Sequence, residues 1–312
     1  MADERSEQTS TRMEQGDGSF LRGSLRRNEP MDSHVSWRAG GAVDHAYVPA
    51  DLDDLAAFLA QLPKNEPLLM VGLGSNLLVR DKGFRGTAVL THASLKTLRR
   101  EADGRFYAEA GVASPKLARY VATHQCVEAE FLAGIPGTVG GALAMNAGCY
   151  GGETWRYVDR VLMLDRDGKL QERSPADFDV GYRHVAAKAA QDEIFVAAWF
   201  RFPAGDGEAS RVRIKELLEK RIASQPLQLP NAGSVFRNPP GDHAARLIEA
   251  AGLKGLEIDG ARVSEKHANF IVNPEGKATA SGIEMLIGRI KAVVAEKFGV
   301  ELVPEVRIVG EN

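Results

Sequence analysis

The sequence has two cysteines, few histidines, a small net charge and no long apolar run. Cys126 and Cys149 are too few for a disulfide framework and too far apart in sequence for a metal-binding pair. The seven histidines form no HxxxH or HExxH pair, so no metal site is expected. A formal net charge of -3 without a basic run gives no reason to expect nucleic-acid binding. No apolar stretch approaches the roughly 18 residues of a membrane-spanning helix, so no membrane segment is expected.

The remaining composition is that of an ordinary folded protein, with 44% hydrophobic and 26% charged residues. A length of 312 residues allows two or three compact units. The beginning of the chain is rich in Glu, Arg, Ser and Gln and lacks an apolar core. We therefore expect residues 1–33 to be a disordered extension rather than a signal peptide. These features together predict a cytoplasmic protein.

A first glycine segment, GLGSN at residues 72–76, lies between two short apolar runs that read as strands. A dinucleotide-binding GxGxxG fingerprint needs a third glycine and a following helix. Position 77 is leucine, and the residues after it read as strand, so the Rossmann interpretation fails. Two interpretations of the loop remain: an anion-binding nest of backbone N–H groups, or a plain hairpin turn.

A second glycine-rich segment covers residues 134–148 and is mostly apolar, with no charged residue. Such a segment is not a flexible linker, and it suits a backbone packed closely against a large flat ligand. Together with the 72–76 loop, it indicates a ligand that carries both a diphosphate and a ring system.

A third segment, NAGSVFRNP at residues 231–239, presents one hydroxyl in a tight turn. Gly233 permits the turn before Ser234, and the apolar residues that follow anchor it in a core. Asn231, Arg237 and Asn238 supply hydrogen-bond donors around it. Ser234 is a candidate nucleophile or proton donor, and an ordinary turn serine is the alternative.

Two further charged positions have simple structural interpretations. Arg183 follows an aromatic residue in a glycine-containing turn, where a surface ion pair is the ordinary role. Glu305 and Arg307 share one face of a predicted last strand at residues 302–309, and such alternation is typical of the solvent side of a sheet.

Taken together, six motifs in the same order resemble the UDP-N-acetylenolpyruvoylglucosamine reductase family, specifically its shorter type II branch. The resemblance runs from about residue 34 to residue 310. The motifs are GLGSN at 72–76, GIPGTVGGALAMNAG at 134–148, GYR at 181–183, NAGSVFRNP at 231–239, SEKHANFIVN at 264–273 and PEVR at 304–307.

The resemblance implies an α+β protein with a two-part FAD-binding domain of the vanillyl-alcohol oxidase type and a C-terminal α+β substrate-binding domain. The FAD-binding domain is expected at residues 34–205, in subdomains of about 34–90 and 91–205. The substrate domain is expected at 206–312, with the last strand bringing Glu305 to the flavin. A monomer is expected.

The implied reaction is the NADPH-dependent reduction of UDP-N-acetylglucosamine enolpyruvate to UDP-N-acetylmuramate through noncovalent FAD. This reaction belongs to peptidoglycan precursor synthesis, and so to cell-wall biogenesis, cell shape and cell division. By motif, Ser234 is the proton donor, with Arg183 and Glu305 as the other catalytic residues. The implied substrate contacts are Tyr182, Arg221, Asn238 and His267. The implied FAD contacts are Gly72, Leu73, Gly74, Ser75, Asn76, Gly134, Ile135, Pro136, Gly137, Gly140, Gly141 and Arg307.

Two alternatives remain open at this stage. One is another FAD-dependent oxidoreductase on the same FAD-binding fold, and the other is a UDP-sugar-binding protein without catalysis. Val185 departs from the family pattern, because a small residue such as serine is usual two positions after the arginine.

Overall fold

The first part of the chain forms a four-stranded sheet covered by one helix. The computed structural model describes residues 21–189 and 192–312. The Asp51 carboxylate accepts the Asp54 N–H and so caps the helix N-terminus. The strand order in the sheet is β1-β2-β5-β3, while β4 lies outside it. The elements are β1 (Ser24–Pro30), β2 (Ala42–Val48), α1 (Leu52–Gln61), β3 (Leu68–Val71), β4 (Leu77–Val79) and β5 (Phe84–Leu90).

Strand β1 corrects the expectation that residues 1–33 are disordered. It pairs antiparallel with β2 from Ser24 to Pro30, and Met31 directly after it is fully buried. Most of β1 is polar and exposed, so its position depends on pairing with β2 rather than on a local apolar pattern. The expectation for residues 1–20 lies outside the described residues.

The second part is a five-stranded antiparallel sheet with helices packed on one face, in the order β11-β10-β14-β7-β6. Its core includes Phe106, Leu117, Val161 and Phe200. The elements are β6 (Leu98–Arg100), β7 (Phe106–Glu109), α2 (Ser114–Thr123), α3 (Val139–Met145), β8 (Gly148–Cys149), β9 (Gly152–Glu153), β10 (Val158–Asp165), β11 (Leu170–Arg173), β12 (Phe178–Gly181), β13 (His184–Ala187), β14 (Glu193–Phe200) and α4 (Gly207–Ser224).

Helix α4 moves the predicted domain boundary. The substrate domain was expected at residues 206–312, but Ile214 of α4 belongs to the core that Leu117 and Phe131 also build. The Ser210 hydroxyl also donates to Glu130 at 2.6 Å. The separate core of the third part therefore begins after α4.

The third part packs a long helix against a small three-stranded sheet. The hydroxyl of Thr279 caps α6 by accepting the Gly282 N–H, and Gly299 ends the helix at φ +67. Ile283 and Leu286 of α6 are fully buried. The elements are α5 (Ala244–Ala250), β15 (Glu257–Ile258), β16 (Ala261–Val263), β17 (Ile271–Val272), α6 (Ala280–Phe298) and β18 (Arg307–Val309).

The last strand is shorter than predicted, and it pairs across the molecule. A strand was expected at residues 302–309, but β18 covers only Arg307–Val309 and runs parallel to β4. Pro304 forms an isolated bridge with Phe236 instead. Glu305 therefore lies between two contacts: the Pro304–Phe236 bridge at the Ser234 segment, and the pairing of β18 with β4 in the first part of the chain.

Polar contacts fix the third part against the first. The Trp37 indole N–H donates to the Ile271 carbonyl at 2.7 Å, and Arg80 makes two hydrogen bonds of 2.9 Å to Glu284. Asp81 accepts the backbone N–H groups of Ala280 and Ser281 at the start of α6. Among the described residues, no helix has both the length and the apolar character needed to cross a membrane.

Candidate active site

A cavity of about 350 Å³ lies where the three parts meet. This volume is within the usual range for small-molecule sites, about 300–1,000 Å³. The predicted site residues that line it are Gly72, Leu73, Gly74, Ser75, Asn76, Gly134, Ile135, Pro136, Gly137, Gly141, Tyr182, Arg183, Arg221, Ser234, Asn238, Glu305 and Arg307.

The 72–76 loop is not a hairpin turn, because the strands on its two sides belong to different sheets. β3 pairs with β5, whereas β4 pairs with β18. Gly74 has φ +58, and a Cβ there would clash with the His34 carbonyl oxygen. Within the described residues, Leu73, Gly74 and Ser75 donate no backbone hydrogen bond. Their N–H groups are therefore available to an anion, which is the nest interpretation.

The 134–141 segment presents bare backbone to the same cavity. A Cβ on Gly141 would meet nothing closer than the Thr138 hydroxyl at 4.0 Å, so the missing side chain leaves open space there. A flat ring can therefore approach the backbone at that point. Gly140 has a different role, since a Cβ there would lie 2.8 Å from the Ala110 side chain. It is not among the lining residues, and it packs α3 against the end of β7.

The Ser234 turn is held by its neighbours in the way the sequence predicts, through Gly233 and the buried residues after it. Gly233 has φ +74, and its N–H donates to the Asn231 side chain at 2.9 Å. Phe236 is 1% exposed, and Asn269 both accepts its N–H and donates to its carbonyl. The Ser234 hydroxyl itself makes no hydrogen bond with any described residue.

The three side chains expected to surround Ser234 with donors make no hydrogen bond to its hydroxyl among the described residues. The Asn231 amide donates to the Leu229 carbonyl at 2.7 Å. The Asn238 side-chain oxygen accepts the Ala244 N–H at the start of α5. Arg237 has a buried Nε with no hydrogen-bond partner among the described residues. The hydroxyl is therefore left for a ligand.

Arg183 and Glu305 form the central ion pair of the cavity, although 122 positions separate them in sequence. Arg183 lies in the turn between β12 and β13, at the left-handed φ of +53. Its Nε donates to Glu305 Oε1 at 2.9 Å. Its Nη2 and Nη1 donate to the carbonyl oxygens of Gly148 and Asn146, at 2.9 and 3.4 Å. The side chains of the pair are 16% and 15% exposed.

Burial raises the pKa of the Glu305 carboxyl above its ordinary value, while Arg183 and, more weakly, Arg237 act in the opposite direction. Its backbone is held as well, because the Asn76 amide donates to the Glu305 carbonyl at 3.0 Å. Asn76, expected as a cofactor contact, therefore also fixes Glu305.

Arg221 is a buried cation, only 8% exposed, whose hydrogen bonds go to neutral groups. It donates to the Gly134 carbonyl and to the Gln225 side chain. Burial lowers the pKa of its guanidinium, which still stays charged at neutral pH. Arg307 lies exposed at the mouth of the cavity. The excess of positive charge favours an anionic ligand.

His267 is not among the residues that line the cavity. Its Nδ1 accepts the Asn269 N–H at 3.3 Å, its ring packs edge-on against Phe270, and burial lowers its pKa. Sequence reasoning also missed residues that the structure brings to the site. Asn269, which lines the cavity, and Asn146, whose carbonyl accepts an Arg183 N–H, are such residues.

Comparisons with known proteins relate the chain to one family of reductases. A family model for an FAD binding domain matches residues 43–174, and the model for the C-terminal domain of UDP-N-acetylenolpyruvoylglucosamine reductase matches residues 225–309. The chain is 57% identical over 310 residues to that reductase from Thiobacillus denitrificans, covering 95% of each chain. It is 51% identical over 289 residues to the one from Legionella pneumophila strain Paris. The crystal structure of the Thermus caldophilus reductase superposes with a TM-score of 0.77 at 29% identity, over 93% of this chain and 99% of that one.

Proposed function

The chain belongs to the UDP-N-acetylenolpyruvoylglucosamine reductase family, and from that membership we propose how its cavity residues divide the reaction. It is an FAD-dependent oxidoreductase of peptidoglycan precursor synthesis, and it reduces the enolpyruvyl group of the UDP-sugar. The assignment of each step to a residue is our proposal.

Two groups of residues are suited to hold FAD. The free N–H groups of Leu73, Gly74 and Ser75 would receive the diphosphate, and the open backbone at Gly141 would receive the ring system. When bound, FAD supplies the hydride that the terminal enolpyruvyl carbon accepts. Arg307, an exposed residue of the cavity lining, would contact the bound cofactor.

Arg183 stabilises the charge that develops on the substrate. Addition of hydride to the terminal carbon leaves negative charge on the neighbouring carbon and its carboxylate. A preorganised guanidinium at that position stabilises the transition state more than the ground state. The single observation that supports this role is the Arg183–Glu305 pair, held at 2.9 Å beside a cavity that Ser234 also lines.

Ser234 completes the reduction by donating a proton to the carbon next to the carboxylate, which produces the lactyl ether. A short hydroxyl on a rigid turn delivers the proton to one face only. The absence of a protein hydrogen-bond partner among the described residues leaves this hydroxyl free to face the substrate. Glu305 orients the Arg183 guanidinium through its short hydrogen bond to Nε.

The remaining assignments complete the proposal. Tyr182, Arg221 and Asn238 contact the UDP-sugar, with the unpaired charge of Arg221 directed to its anionic groups. His267 supports the wall behind them. NADPH is the reductant, and the protein acts as a cytoplasmic monomer.

The test is an anaerobic titration of the purified flavoprotein. We expect NADPH to bleach the flavin and the enolpyruvyl UDP-sugar to restore its colour, with UDP-N-acetylmuramate as product. Bleaching that only oxygen reverses would indicate another FAD-dependent oxidoreductase. Binding of the UDP-sugar by a protein that takes up no flavin would indicate a non-catalytic binding protein.

A further inference from the structure

We propose that Asn146 is a positioning residue that holds Arg183 in its working orientation. This inference rests on the proposed role of Arg183 and extends it to a residue outside the catalytic set. Asn146 is 2% exposed and ends helix α3 at the left-handed φ of +44.

The side chain of Asn146 joins the end of α3 to two other segments, one at residues 153–155 and one at Gly181. Its oxygen accepts the Trp155 N–H at 3.1 Å. Its nitrogen donates to Glu153 Oε2 at 3.0 Å and to the Gly181 carbonyl at 3.1 Å. Both N–H groups of the amide and one lone pair of its oxygen are therefore used in these hydrogen bonds, and one oxygen lone pair remains.

Both the backbone and the side chain of Asn146 act on Arg183. Gly181 is the last residue of β12, two positions before Arg183, so the contact from the amide fixes the start of the turn. The Asn146 carbonyl accepts Arg183 Nη1 directly at 3.4 Å, and that of Gly148 accepts Nη2.

The turn needs such support because Arg183 has φ +53, a conformation that is unfavourable for a non-glycine residue. With Asn146 in place, the guanidinium is held by acceptors on two sides: backbone carbonyls at the end of α3, and Glu305 across the cavity.

Asn146→Asp is the sharpest probe. Aspartate tolerates the left-handed backbone and can still accept the Trp155 N–H, so the shape is kept. It loses both donors and places a carboxylate against Glu153 and the Gly181 carbonyl. The matched control is Asn273→Asp, because Asn273 is a fully buried amide whose bonds go to Trp37, Arg38 and Ala278, away from the cavity lining.

We expect Asn146→Asp to slow flavin reoxidation by the enolpyruvyl UDP-sugar by about 10- to 100-fold at saturating substrate, the scale of a small misplacement of a catalytic group. Reduction by NADPH should stay at the wild-type rate. Asn146→Gly, which suits the backbone and lacks the amide, should behave in the same way. Asn273→Asp should lower the melting temperature without slowing reoxidation selectively.

A second readout does not depend on turnover. In arginine-labelled protein, the Nε–H of Arg183, identified with Arg183→Lys, should exchange with solvent faster in Asn146→Asp than in wild type. The inference is overturned if Asn146→Asp and Asn146→Gly both reoxidise at the wild-type rate while Arg183→Ala is slow, or if both half-reactions slow equally. A wild-type rate in Arg183→Ala itself would instead refute the proposed role of Arg183.

Discussion

Arg183 and Glu305 are expected to act as one unit, so a substitution at one should reduce the effect of a substitution at the other. The two side chains are joined at 2.9 Å and are mostly shielded from solvent. Burial already raises the pKa of Glu305, and Arg183 is the main group that opposes this effect. In Arg183→Ala the carboxyl therefore loses its cation and shifts toward the protonated form. Glu305→Gln should then change little more.

The magnitudes follow from these contacts. Arg183→Ala removes a preorganised cation and should slow reoxidation by about 10²–10³-fold. Glu305→Gln leaves the guanidinium less well oriented and should cost about 10²-fold. Independent effects would multiply to about 10⁴–10⁵-fold in the double variant. Joint action predicts that the double variant reoxidises about as slowly as Arg183→Ala alone. The double variant would then be about 10²-fold faster than independent effects predict, which is a coupling free energy of about 2.7 kcal/mol.

The assay is stopped-flow reoxidation of the reduced enzyme by the enolpyruvyl UDP-sugar in all four proteins. Reduction by NADPH is measured in parallel and should be unchanged. Arg183→Lys should recover only part of the rate, because an ammonium lacks the planar fork that reaches Glu305 and the backbone carbonyls together. Losses that multiply strictly in the double variant would refute joint action.

Two further predictions concern the cofactor loop and the titration of Glu305. Gly74→Ala should weaken FAD binding in a fluorescence titration, because its Cβ would meet the His34 carbonyl and displace the 72–76 loop. The control is Gly276→Ala, which has a similar φ of +71 but lies in open space and should leave FAD affinity unchanged. Equal losses of affinity in the two variants would contradict the loop's role. In the flavin-free protein, the pKa of the Glu305 carboxyl is higher in the folded state than in the unfolded state. Its contribution to stability is therefore present below the unfolded pKa and is lost as the pH rises through the folded pKa. Urea unfolding should therefore show the wild type losing stability relative to Glu305→Gln as the pH rises above the ordinary glutamate pKa of about 4.3. Parallel curves would contradict the raised pKa.

The sequence predicted best those features that depend on neighbouring residues. The tight turn at Gly233 and the failure of the Rossmann pattern at Leu77 each follow from a few adjacent positions. The family resemblance added the catalytic set, and the structure brings Ser234, Arg183 and Glu305 to one cavity.

Features that depend on distant pairing were predicted less well. Strand β1 was not predicted because its charged sequence forms a strand only by pairing with β2. The last strand was predicted to be too long because only Arg307–Val309 pairs with β4. The boundary at residue 206 failed because the apolar positions of α4 do not indicate which core they enter. Asn146 carries no local signal for its contacts with Glu153 and Gly181, since these form only after the turn and the helix have packed.

The central claim is that the Ser234 hydroxyl donates the proton that completes the reduction, and Ser234→Ala tests it most directly. The substitution removes one hydroxyl that no described residue uses, so the fold and FAD content should be retained. Reduction by NADPH should proceed at the wild-type rate, and reoxidation by the enolpyruvyl UDP-sugar should slow by about 10²-fold or more, the usual scale for a lost general acid. Reoxidation at the wild-type rate, or an equal slowing of both half-reactions, would contradict the account.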